Sequence, residues 1–158
     1  MLKTNSVYLG RYRQEEEVKT SHFPLSGLLP ADHILALNLE TRTLSLLSHG
    51  PSLLMVQQLS ANELHMILPI LEYFPHYCPY EVLLAHVSSS VVTEASITRC
   101  RQRLREAQAR GQWQQELRPI RRALSSLRNK LHRFHLEISN IRERGCNLTN
   151  LPWTFDSP

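Results

Sequence analysis

Between Arg99 and Arg144 the chain carries 13 Lys or Arg side chains, twelve of them Arg, against four acids, Glu106, Glu116, Glu137 and Glu143. A guanidinium is planar, always charged and presents its N–H donors as a fork. It therefore suits two-point contacts to a phosphate or a guanine edge better than an ammonium does. From Leu25 to Thr98 the balance reverses, with Arg42 set against Asp32, Glu40, Glu63, Glu72, Glu81 and Glu94. The net charge of +4 hides this split in sign, which points to a polyanionic partner. Other chemistries are poorly served. His132 and His135 stand three apart and His76 lies near Cys78, but neither pair has the spacing of a structural zinc site. No glycine-rich phosphate loop, nucleophile elbow or paired-carboxylate arrangement occurs. The expectation is a binding protein without catalytic activity, cofactor or metal.

The chain has 158 residues, 42% of them hydrophobic, which is enough for one ordinary domain and an arm. No apolar run approaches the roughly 18–20 residues that a membrane-spanning helix requires. The first residues, Met1 to Ser6, lack the apolar stretch of a secretory signal. Three cysteines, Cys78, Cys100 and Cys146, are too few and too scattered for a disulfide framework. A cytoplasmic protein with no membrane partner is expected, nucleoid-associated if its polyanionic partner is DNA.

The elements that must position the arginines follow from periodicity. Residues 1–32 read as an arm of uncertain order, with Ser6–Leu9 as a short strand. Alternation over Ile34–Leu39 and Thr43–Leu47, broken by Glu40-Thr41-Arg42, predicts a hairpin, and Leu53–Leu59 supplies a third strand. A small antiparallel sheet thus spans 33–59. Ser60-Ala61-Asn62-Glu63 has the form of a capping box, followed by a helical run in which Pro69 should introduce a kink and Pro75 a stop. A second helix covers Tyr80–Val87, completing the pair in 60–87. Residues 88–118 hold an inserted basic helix started by Thr93 or Glu94, with Ile97, Cys100, Leu104 and Ala107 on one face and Gly111 at its end. In 119–135 the residues Ile120, Leu124, Leu127, Leu131 and Phe134, spaced 4, 3, 4 and 3, form the cleanest helical stripe in the chain. Residues 136–149 suit a hairpin whose tip uses a glycine, and 152–158 form a tail.

Several segments in this order resemble the winged helix-turn-helix domain of OmpR/PhoB-type response regulators. Leu59-Ser60-Ala61-Asn62-Glu63 resembles that family's Leu-Thr-x-x-Glu helix entry, and Tyr80-Glu81-Val82-Leu83-Leu84 is similar to the start of its second helix. Ser125–Leu131 resembles the basic close of its recognition helix, and Ile138–Leu148 resembles its wing. The resemblance implies an α+β fold: a small N-terminal antiparallel sheet, a helical core and a C-terminal β-hairpin wing, together spanning 33–151. About thirty residues separate the second helix from the basic one, where the family has a short loop. Ile97–Leu104 also resembles the recognition motif, so 94–110 and 119–133 compete for that role. The 119–133 segment is favoured because it runs straight into the wing. Cys146 stands where the family has Tyr, and 32 residues ahead of the sheet cannot hold a receiver domain.

The resemblance implies a sequence-specific regulator of transcription bound to double-stranded DNA, with the recognition helix in the major groove. Arg121, Arg122, Ser125, Arg128 and Asn129 would face the bases, and Lys130 and Arg133 the phosphates. Arg142 and Arg144 at the wing tip would clamp backbone or minor groove, with Arg99, Arg101 and Arg103 as a secondary set. A homodimer or a regulatory protein partner is compatible with this reading. The alternative is a protein-interaction module that keeps the winged fold and docks its Arg-rich helix on an acidic partner.

Overall fold

Short β-prone runs separated by polar turns build the first part of the chain. The computed structural model describes residues 19–48, 52–89 and 91–151, and the chain divides into two compact units, 1–59 and 60–158. In the first unit β1 (Thr20–Phe23), β2 (His33–Asn38), β3 (Thr43–Ser48) and β4 (Ser52–Gln58) form one antiparallel sheet in that order. The sheet therefore has four strands where three were expected. β1 lies inside the segment read as an arm, pairing Thr20 with Asn38 and Phe23 with Leu35. The β2–β3 turn is closed by Asn38, whose Oδ1 accepts the backbone N–H groups of Glu40 and Thr41 at 3.0 and 2.9 Å. Leu35, Leu37 and Leu44 are fully buried. Between β3 and β4 the register shifts: Leu46 pairs with Met55 and Leu47 with Leu53, leaving Leu54 as the extra residue of a bulge. The Ser6–Leu9 strand and the 152–158 tail of the sequence reading lie outside the described residues.

The second unit opens on the expected capping box. The Glu63 N–H donates to Ser60 Oγ at 3.2 Å and the Ser60 N–H to Glu63 Oε1 at 2.7 Å, starting α1 (Ala61–Tyr73). The helix continues past Pro69 and buries Leu64, Met66, Ile67, Ile70 and Leu71. A two-residue strand, β5 (Cys78–Pro79), leads into α2 (Tyr80–Ser88). Thr93 and Ser96 form a second reciprocal cap for α3 (Glu94–Ala109), which packs on α2 and buries Cys100, Leu104 and Ala107. Gly111, at φ +72°, turns the chain after it. A short helix, α4 (Trp113–Glu116), was not legible in the sequence and precedes α5 (Arg118–His132), with Pro119 in the first turn.

The stripe read from the sequence is the buried face of α5: Ile120, Leu124, Leu127 and Leu131 are at most 2% exposed. Each such side chain contributes on the order of 1.5–3 kcal/mol by leaving water, so this face seats the helix against α1, α2 and the following strand. Phe134 is buried just beyond the helix end. β6 (Leu136–Ile141) and β7 (Gly145–Asn150) then form a hairpin, and β5 joins it in a three-stranded sheet of order β5-β7-β6. The fold is α+β, with five helices, a four-stranded antiparallel sheet and a three-stranded sheet among the described residues.

The glycine expected at the hairpin tip has a different task. Gly145 opens β7, and the left-handed tip residue is Glu143, at φ +61°. A Cβ on Gly145 would stand 2.0 Å from the Cys78 carbonyl oxygen and 2.9 Å from Pro79 Cα. Glycine is required there because β5 passes directly against the backbone.

Candidate nucleic-acid interface

Successive residues of α5 advance by about 100° around its axis. With Ile120, Ala123, Leu124, Leu127 and Leu131 facing the core, the opposite side carries Arg118, Arg122, Ser125, Asn129 and Arg133, all exposed. Arg121, also exposed, sits at the margin of this face. Arg118 was missed by the sequence reading, although its place four residues before Arg122 continues the same stripe. Arg118, Arg121 and Arg122 make no ion pair among the described residues.

The hairpin presents the second group. Arg142 and Arg144 are exposed in its turn, held from behind by main-chain bonds. The Arg144 N–H donates to the Ile141 carbonyl at 2.9 Å, and the Arg144 carbonyl accepts the Tyr80 N–H at 3.0 Å. The turn is thus tied to the first residue of α2. Arg121 and Arg142 line one cavity, which brings the start of α5 and the hairpin turn together.

Four expected contact residues do other work. Arg128 is half-buried, donating Nε–H to the Ile138 carbonyl at 3.2 Å and an Nη2 hydrogen to Asn140 Oδ1 at 2.8 Å. It braces β6 against α5 rather than facing outward. Lys130 lies 2.7 Å from Glu63 Oε1, so its charge is spent on α1. Arg101 pairs with Glu81 across the α2–α3 contact, 3.2 Å away, and Arg103 with Glu116 of α4. These ion pairs fasten α3 to its neighbours, leaving Arg99 alone of the secondary set without an ion pair among the described residues. Each partner sits in a different element, and sequence spacing carries no trace of such pairings.

Glu63 shows how much rests on one of these pairs. Its side chain is 4% exposed. Burial by itself raises its pKa, but hydrogen bonds from Lys130, Ser126 and the Ser60 backbone, with the Lys130 charge, hold it below the ordinary carboxylate value. The carboxylate is ionised and fully engaged, so Lys130 is a structural cation. No known protein family, curated protein or solved structure matches the chain.

Proposed function

We propose that residues 60–151 are a winged helix-turn-helix domain that binds double-stranded DNA as a transcriptional regulator, with α5 as recognition helix and the β6–β7 hairpin as wing. The observation that carries the reading is the cationic face of α5, on which Arg118, Arg121 and Arg122 make no ion pair among the described residues. A helix held on the core by one apolar stripe, with Arg118, Arg122, Ser125 and Asn129 projecting from the other side, has the shape and donors to read major-groove edges. Arg142 and Arg144 on the hairpin supply backbone contacts beside it. The choice between the two basic helices falls on α5, because α3 has two of its arginines neutralised by Glu81 and Glu116. The same neutralisation weakens the alternative in which α3 docks on an acidic protein. The reading is one of binding without chemistry.

Selection of duplexes from a random pool, followed by anisotropy titrations, tests this. Asn129→Ala should cost about 1–3 kcal/mol on the selected duplex and relax preference at one base pair. Arg142→Ala should weaken selected and scrambled duplexes alike. If the double variant Arg118→Ala/Arg122→Ala binds duplexes as tightly as the wild type at low salt, α5 does not read DNA.

A further inference from the structure

Two adjoining lobes, which share Tyr80, Leu117, Arg121 and Asn140 in their linings, lie between the start of α5 and the hairpin. The inner lobe, about 150 Å³, has an apolar floor of Leu117, Ile120 and Leu124 closed by the ring of Tyr80. Arg121, Arg128 and Asn140 complete its lining, and no acid takes part. The outer lobe, about 310 Å³, adds Trp113, Gln114, Arg142 and Glu143. The Trp113 ring meets that of Tyr80 edge to face, with centroids 6.0 Å apart and planes at 80°.

Two guanidinium groups therefore share a small, partly apolar space with no counter-charge in its inner lobe. Arg121 has no ion pair among the described residues, and the partners of Arg128, the Ile138 carbonyl and the Asn140 amide oxygen, are neutral. Burial, and then the Cys146 thiol, holds the Tyr80 phenol above its ordinary pKa, while Arg121 and Arg128 pull it back. Both cations thus act on the space that the phenol borders. Asn140 Oδ1 is occupied by Arg128 and by the Cys146 thiol at 3.4 Å, which leaves its NH₂ as a donor. A space of about 150 Å³ is the size that takes one benzene ring, and here the apolar floor lies beneath three polar side chains.

We propose that this cavity binds a small planar aromatic carboxylate, its ring on Leu117, Ile120, Leu124 and Tyr80 and its carboxylate on Arg121. Arg128 and the Asn140 amide are the further donors, and entry is past Trp113. A bare phosphate would leave the apolar floor against water, and a duplex backbone is too broad to enter the inner lobe. Occupancy would withdraw Arg121 from the margin of the α5 face and so weaken duplex binding. That consequence rests on the DNA-binding reading, but the pocket itself does not.

Calorimetric titration of the full chain with benzoate tests the site, with acetate and benzyl alcohol as the ring-free and charge-free probes. Saturable one-to-one binding of benzoate is expected, at least tenfold tighter than either probe. Arg121→Gln should lose at least tenfold for benzoate and nothing for benzyl alcohol, while Arg105→Gln, an equal charge change on exposed α3, should match the wild type. In a Trp153→Phe chain the remaining Trp113 should report benzoate by a saturable change in fluorescence. Acetate binding as well as benzoate, benzyl alcohol binding as well as benzoate, or no saturable benzoate binding by a natively folded chain would each overturn the proposal. A chain that binds benzoate but no duplex would keep this site and remove the DNA reading; duplex binding without a benzoate site would do the reverse.

Discussion

Glu63 closes the first turn of α1 and neutralises Lys130 of α5 with the same carboxylate oxygen. Its folded-state pKa lies below its ordinary value, so its contribution to stability is present above that value and is lost as pH falls through the folded one. Glu63→Gln should cost about 1–2 kcal/mol near neutral pH, given a buried carboxylate and a partner that is one-third exposed. The deficit should shrink as pH is lowered through the ordinary carboxylate range and below it, as read by urea melts at each pH. A constant deficit would mean that the charge is idle. Arg128 makes a similar point from the opposite side. Its contacts are to β6, so Arg128→Ala should loosen the hairpin and, if the domain binds DNA as proposed, weaken all duplexes without changing base preference. Hydrogen exchange of the β6 and β7 amides would show the loosening directly. The thiols add a third residue-scale expectation. Burial pushes the Cys146 thiol up to about 11, against the pull of Arg128 and Tyr80, and pushes Cys78 higher still. Neither should alkylate at neutral pH unless the fold opens.

Among the elements, the hairpin depends on Gly145 more than its sequence context suggests. Ala at this position would drive its Cβ into the backbone of Cys78 and Pro79, where no side-chain rotation can relieve the overlap. Gly145→Ala should cost about 2–4 kcal/mol, by denaturant melts, and separate β5 from β7. Sequence reading found a glycine at the right place and gave it the wrong reason, because the close approach comes from a strand of two residues far back in the chain. It found α5 well, since Ile120, Leu124, Leu127 and Leu131 repeat at helical spacing and all four are buried. It missed β1, because Thr20–Phe23 is only four residues long and gains its identity from pairing with β2. It misplaced Arg128 because one of its acceptors is a backbone carbonyl, a group that every residue offers. Apolar periodicity was legible, but the destination of each charge was not.

At the scale of the whole molecule, the two units differ in electrostatic character. Residues 1–59 carry 5 Lys/Arg and 5 Asp/Glu, so the excess of positive charge belongs entirely to 60–158. If Arg118, Arg121, Arg122, Arg142 and Arg144 are the cations that a duplex engages, the logarithm of its affinity should fall against the logarithm of salt with a slope of about −4.5. All 13 bases of the Arg99–Arg144 segment acting together would give a slope of about −12, which would return the internally paired cations to the interface. The pairing of Glu63 with Lys130 also bears on the order of assembly. The two residues stand 67 positions apart, and closing so long a loop carries an entropic cost before any contact rewards it. The first helix can therefore nucleate early through its own cap, yet its carboxylate stays half-satisfied until the last helix arrives. Final locking of the start of the unit waits on the synthesis and docking of its end, so a nascent chain cut short before residue 130 would hold an acid with no cation to meet it.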